Sequence, residues 1–596
     1  MTVLMLAAIS LVSVLAQWLA WSLRVPAILF LLLTGLALGP VAGVLNPDAI
    51  MGDLLFPIVS LSVAIILFEG ALGLHLSELK GIGRVVRNLC SIGMLATFGV
   101  IAVASHFLLG LAWQVALVLG AVLVVTGPTV IAPMLNVIRP TPEIDRILRW
   151  EGIVIDPIGA LFAVLVFEAV ALHSPDGVFL HSLQALGRTL GVGLGLGWLG
   201  GWLLAQLIRR DLLPAKLQKF ASLAAVLGLF AISDFLSHES GLLSVTVMGL
   251  YLANRSDLDL EEILAFKEDL SVILISTLFI LLAARLDMHQ LWQLGPMVLA
   301  LLLVVQLVAR PLCILLSSWR SDLSWRARAL LAWVAPRGIV AAAVGSAFAA
   351  SLEQAKVPDA DKLVPLVFAV IIATVVVQSL TASPLARWLK VQQPKASLVL
   401  IIGANHLARV IATALKEQNI PVLLADPVWD YYRQARMSGL PSYYGNPQSE
   451  QAERQLPLGS VRWVLALSPN RHQNALGVLH FAHMLGADKV FSLRVSEQGR
   501  ANCESRTFRA RQRLFAPDAT YAKLTSQLAL GAQVKATRLG DAFSWQDYQK
   551  THPDALPLFV VTDKGRLRVM EVDGSAPPKA GETVLSLVAA KRETTA

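Results

Sequence analysis

From Met1 to about Lys390 the chain repeats one pattern, runs of about 20 apolar residues parted by short polar loops. Runs of that length match the hydrocarbon core of a bilayer. In hydrocarbon, only helices and closed barrels satisfy their own backbone hydrogen bonds. Composition agrees: 56% of the 596 residues are hydrophobic and 15% are charged, against about 25% charged in soluble domains. From Lys395 onward charged residues return to ordinary density. The chain therefore reads as a transmembrane domain over 1–390, followed by soluble domains over 395–515 and 516–596. The first run lacks a basic flank and a small-residue cleavage pattern, so it is expected to stay as a helix. Cys90, Cys313 and Cys503 are scattered and suggest neither disulfides nor a metal centre.

About thirteen spans are expected, at roughly 3–21, 26–45, 54–74, 89–110, 112–137, 147–172, 184–208, 217–237, 240–254, 269–286, 292–316, 327–350 and 363–389. Lys and Arg collect in cytoplasmic loops, and here they occupy alternate loops. They are Arg24; Lys80, Arg84 and Arg87; Arg139, Arg146 and Arg149; Arg209, Arg210, Lys216 and Lys219; Arg255 and Lys267; Arg320, Arg326 and Arg328; Arg387 and Lys390. That alternation places the N-terminus outside and the soluble domains inside, as expected of a bacterial inner-membrane protein. It also accounts for the net charge of +8 without nucleic acid as a partner; lipid is the expected surrounding.

Two runs are interrupted where an anchor needs no interruption. The fifth contains Thr126-Gly127-Pro128, and the twelfth contains Pro336-Arg337-Gly338. Proline removes a backbone donor and glycine loosens a helix, so each break frees polar backbone that something must satisfy. Breaks at matching depth, seven helices apart, are the mark of inverted-repeat transporters. The sixth run, "WEGIVIDPIGA", places two acids, Glu151 and Asp156, five positions apart. Gly127, Asp156 and Arg337 all fall roughly 13–15 Å from the cytoplasmic ends of their helices, about mid-membrane.

Glu151 and Asp156 point about 140° apart on a helix and so cannot share a partner. Glu151 is expected to pair with Arg337, which leaves Asp156 to hold either a proton or a metal cation. That alternation is the chemistry of an antiporter. Glu69 could be an ion ligand, a gate or an interfacial charge. Arg285 and Arg310 read as snorkelling anchors near helix ends. His238 and Glu239 read as an external helix start capped by Ser240, and "RSDLDLEEILAFKEDL" reads as an amphipathic interfacial helix.

"LFEGALGL", "TGPTVIAP", "WEGIVIDPIGALFAV", "ESGLLSVTVMGLYLAN" and "APRGIVAAAV" follow one another in that order. Together they resemble the cation:proton antiporters of the NhaP and sodium/proton-exchanger type. The resemblance implies a thirteen-helix fold, a homodimer, and elevator-like movement of a core carrying the ion site. It puts the essential acid on Asp156, the acid five positions earlier on Glu151, the arginine of the broken twelfth helix on Arg337, and the acid of the third helix on Glu69. Backbone near Thr126 and Gly127 would complete the cradle, with Pro128, Pro336 and Gly338 making the breaks. Three polar family residues are replaced, by Gly127, Gly152 and Ile155. With one essential acid, the family pattern implies electroneutral one-for-one exchange of Na+ or K+ for H+.

After Pro394, "ASLVLIIGANHLARVIATALKEQNIPVLLADP" reads as strand, turn, helix and strand. Gly403, Asn405 and His406 lie in the turn, and Asp426 follows Gly403 by 23 positions, near the spacing of a dinucleotide fingerprint. The turn would hold phosphate, and Asp426 would accept ribose hydroxyls. The segment resembles the nucleotide-binding subdomain of TrkA-type potassium-conductance regulators, with a divergent ligand domain after it. This implies a regulatory adenine nucleotide such as NAD(H), AMP or ATP, or a dimerising domain with an empty cleft. No cofactor is expected for transport itself.

The expected fold class is therefore a polytopic α-helical membrane protein with inverted repeats and two broken helices, plus a cytosolic α/β Rossmann-like domain. A dehydrogenase is opposed by the lack of a catalytic acid/base set. A potassium channel is opposed by the absence of a selectivity sequence. A glutathione- or nucleotide-gated potassium efflux system is the nearest alternative.

Overall fold

The computed structural model describes residues 2–23, 25–171, 178–237, 239–255, 257–258, 260–286, 293–393, 397–494, 514–516, 518–563, 565–571 and 576–589. His238 lies outside them. Contacts divide the chain into two compact units, Met1–Gln393 and Pro394–Ala596.

The first unit is helical. Its helices are α1 (Thr2–Leu23), α2 (Ala27–Leu36), α3 (Pro47–Met51), α4 (Leu55–Leu72), α5 (Gly83–Asn88), α6 (Met94–Leu109), α7 (Trp113–Val122), α8 (Pro128–Ile138) and α9 (Pro142–Ala171). They continue with α10 (Val178–Arg209), α11 (Ala215–Leu236), α12 (Ser240–Ala253), α13 (Glu261–Ala284), α14 (Gly295–Val304), α15 (Arg310–Ser317), α16 (Trp325–Trp333), α17 (Ile339–Gln354) and α18 (Leu363–Trp388). Among the described residues, seven helical segments are long and apolar enough to cross a membrane by length and composition.

Lipid gives helices no hydrophobic reason to associate, so close packing of small residues carries the contact. Gly193, Gly197 and Gly201 form one stripe of α10, and α12 lies along it. A Cβ on Gly197 would come within 2.6 Å of the Ser244 carbonyl oxygen. Gly35 of α2 meets α13 in the same way, with the Ile280 carbonyl oxygen 2.5 Å from where a Cβ would stand.

Both interruptions are real. The first opens between α7 and α8, the second between α16 and α17, and a short antiparallel bridge joins Thr126 to Arg337 where they cross. Between α14 and α15 the helix widens to a π turn, Val305–Ala309, a feature often found at functional sites. The segment read as an amphipathic interfacial helix is instead the opening of α13. Its Lys267, counted from sequence as a loop base, is wholly buried.

The second unit opens with a parallel five-stranded sheet ordered β3-β2-β1-β4-β5: β1 (Leu398–Ile402), β2 (Val422–Asp426), β3 (Ser442–Tyr444), β4 (Val461–Ala466) and β5 (Val490–Ser492). The central strand β1 is an unbroken apolar run because helices cover both faces of such a sheet. An antiparallel sheet ordered β6-β9-β7-β8 follows: β6 (Gln533–Arg538), β7 (Leu556–Val561), β8 (Leu567–Val569) and β9 (Thr583–Val588).

Candidate functional site

Helix α9 carries Gly152, Asp156 and Gly159 at spacings of four and three, which sets them on one face. Gly152 lies against Pro128, whose Cα is 3.5 Å from where a glycine Cβ would stand. Gly159 lies against Val125 in the same way, at 2.7 Å from Cγ2. Asp156, between them, is therefore set opposite Thr126 and Gly127, the open backbone of the first break. It is 1% exposed, and neither carboxylate oxygen has a hydrogen-bond partner among the described residues. The Thr126 and Thr129 hydroxyls are buried and unpartnered beside it.

The two breaks meet through glycine. The Gly127 N–H donates to the Pro336 carbonyl at 3.2 Å, and a Cβ on either Gly127 or Gly338 would collide with the α-carbon of the other. Freed backbone groups must find partners, and polar side chains supply them. Arg337 donates to the Val124 carbonyl at 2.9 Å. Gln306 donates to the Trp333 carbonyl at 2.7 Å and accepts from Gln378 at 2.9 Å. The Gln378 side-chain oxygen accepts from Ala335 N–H at 3.0 Å.

The expected partnership of Glu151 with Arg337 is not what forms. Glu151 is held by Arg310, Nη2 to Oε2 at 2.9 Å, with Nη1 closing the second prong on Oε1. The same guanidinium donates to the Leu331 carbonyl at 3.0 Å and the Val334 carbonyl at 3.1 Å. Arg310 therefore does not snorkel: it is 3% exposed. The reason is geometric, since Arg337 sits at the crossing and spends its reach on the first break. The sequence signal for Arg310 was a charge four residues after Gln306 in an apolar run.

Glu69 is half-buried on α4. The groups acting on it are Ser271 and Glu268 of α13 and Arg149 of α9. Arg149 precedes Asp156 by two helical turns, about 10 Å. Lys267, one turn before Ser271, stacks its ammonium 5.2 Å from the centre of the Phe68 ring and has no hydrogen-bond partner among the described residues. Among those residues, no three His, Cys, Asp or Glu side chains gather as a metal centre. A cation here would be held by one carboxylate, hydroxyls and backbone, as cargo.

In the second unit Gly403 ends β1 with φ +108, a conformation glycine adopts freely. Asn405 caps the helix His406–Glu417, accepting from Ala408 N–H at 3.1 Å and donating to the Leu467 carbonyl at 2.7 Å. His406 opens that helix, exposed. Asp426 accepts from Ala404 N–H at 2.7 Å and from Val428 N–H at 2.8 Å. Burial pushes its carboxyl up from the ordinary range against the pull of those two donors. Asp426 thus braces the turn, as well as standing where a ribose would lie. Trp429, Tyr432 and Tyr444 cluster just beyond it, ring centres 5.1–5.5 Å apart.

Residues 7–388 match the family described as sodium/hydrogen exchanger, transmembrane, and residues 399–503 match the TrkA-N domain. The chain is 27% identical over 342 residues to the Na(+)/H(+) antiporter 1 of Methanocaldococcus jannaschii, covering 54% of this chain and 78% of that protein. It is 26% identical over 433 residues to the K(+)/H(+) antiporter NhaP of Alkalimonas amylolytica, covering 70% and 72%. The solved structure of the sodium proton antiporter MjNhaP1 from M. jannaschii at pH 8 superposes with a TM-score of 0.56 at 25% identity, over 65% of this chain and 99% of that one.

Proposed function

The chain belongs to the sodium/hydrogen exchanger family, and from that premise we propose that it exchanges a monovalent cation for H+ at Asp156. It is a multi-pass membrane protein and a Na+/H+ or K+/H+ antiporter rather than an enzyme, with a TrkA-N domain attached. The observation that carries the site assignment is Asp156 itself, a buried carboxylate with both oxygens unpartnered opposite two crossing helix breaks. An unneutralised charge in hydrocarbon costs several kcal/mol or more. Asp156 is therefore closed either by a proton or by a cation, which the Thr126 and Thr129 hydroxyls and the opened backbone help to hold. One carboxylate serving both occupants in turn couples their movements.

One-for-one electroneutral exchange, elevator-type movement of the core, the homodimer and the outward N-terminus rest on the family resemblance and the loop charges. Regulation by an adenine nucleotide rests on the TrkA-N match and on the turn at Gly403.

The test is dissipation of a pH gradient in proteoliposomes on addition of Na+, K+ or Li+. Wild type is expected to release protons with at least one ion, and Asp156→Asn with none. Equal exchange by the mutant would remove Asp156 from the role and bring Glu69 forward.

A further inference from the structure

Helix α12 is too short to cross the membrane. Its 14 residues span about 21 Å, against a hydrocarbon core of about 30 Å. One end is fixed: Asn254 just past α12 donates to the Leu74 carbonyl at 3.1 Å and accepts from Leu76 N–H at 2.8 Å. Those residues lead into the basic loop of Lys80, Arg84 and Arg87. The other end therefore stops inside the membrane, about 9 Å short of the opposite surface. Glu239 stands at that recessed end.

Asp156 lies 14 residues into α9, whose start at Pro142 is on the same basic side. That is again about 21 Å, so the two carboxylates occupy one level on helices that pack together. Glu239 is close enough to act on Asp156 electrostatically. It is partly exposed where Asp156 is sealed. Its backbone sits at φ +63, in the left-handed region that disfavours a glutamate, with its N–H held by the Asp234 carboxylate at 2.8 Å. Behind it the buried hydroxyls of Ser233, Ser240 and Ser244 satisfy one another, so Glu239 has no structural debt to them.

We propose that Glu239 is a second carboxylate of the ion path, a positioning residue that gathers the monovalent cation for Asp156 from the side opposite the basic loops. The need for one is local. Positions 127, 152 and 155 hold Gly, Gly and Ile, so little else near Asp156 carries negative charge to concentrate a cation. This inference rests on the exchange reading above.

The test uses the full chain in proteoliposomes and the apparent KM for Na+ and K+. Glu239→Gln removes the charge and keeps the shape. Glu239→Gly removes the carboxylate while easing the left-handed backbone, so a folding defect is not confused with lost affinity. Both are expected to raise the apparent KM about fivefold or more with maximal rate within about twofold, and Glu239→Asp to stay near wild type. Unchanged KM in both charge-removing variants overturns the proposal, and so does a fall in rate at unchanged KM. A wild type that exchanges no monovalent cation overturns the exchange reading, and this inference with it.

Discussion

Glu151 and Arg310, 159 positions apart in the chain, are joined carboxylate to guanidinium by both prongs in the buried core. Breaking one side of such a pair leaves an uncompensated buried charge, which costs about 3–5 kcal/mol. Arg310→Ala should lose that much, and more through the Leu331 and Val334 carbonyls left without a donor. Thermal unfolding in detergent reads the loss. A variant as stable as wild type would show that the pair does not brace the core.

The glycine crossing admits no added carbon. Gly127→Ala and Gly338→Ala should each force the two breaks apart, at about 1–3 kcal/mol of overpacking, and cut exchange about tenfold or more. Gly195, with nothing within 4 Å of a built Cβ, supplies the control. Gly195→Ala should leave exchange intact and gain up to about 1 kcal/mol from helix propensity. Parallel transport and melting measurements on the three variants decide the matter.

What could be read from the chain alone followed from local chemistry. The breaks were visible because Pro128, Pro336 and their glycines contradict an uninterrupted helix, and Asp156 because an acid in such a run has no innocent reason to be there. The partner of Glu151 was not visible. Arg310 and Arg337 are both arginines in apolar runs, and only the crossing of the helices decides which one is free to reach it. Periodicity misled at 261–268 for a related reason: acids on one side of a helix look the same whether it lies on the membrane or enters it.

Lys267 is a buried ammonium stacked on Phe68 without a hydrogen-bond partner among the described residues. Replacing buried charge with a well-packed apolar side chain is often stabilising, by about 1–4 kcal/mol. Lys267→Met should therefore melt at a higher temperature than wild type. A lower melting temperature would mean that the ammonium has a partner in the folded protein under the conditions measured.

Asp359, in the loop before α18, accepts from Lys362 at 2.7 Å and from Ala112 N–H, at the start of α7, at 3.2 Å. The Lys362 hydrogen bond holds its carboxyl below the usual carboxylate range, helped by the Ala112 N–H. A depressed folded value means stability present above the unfolded pKa, about 3.9, and lost as pH falls through the folded value. Asp359→Asn should accordingly be less stable than wild type at pH 7, by about 1 kcal/mol, and the gap should close below about pH 4. Melting curves of both proteins across that range test the sign.

Arg310 bonds the carbonyls on one side of the second break, Gly127 bonds the other, and Glu151 ties both to the helix that bears Asp156. A frame triangulated in this way has no internal degree of freedom to spend. The void around Asp156 cannot swell or shrink to suit an occupant, so an ion is accepted for its own radius rather than fitted by adjustment. Tuning such a carrier to a different ion means changing what lines the void, whereas loosening its struts only makes it leak.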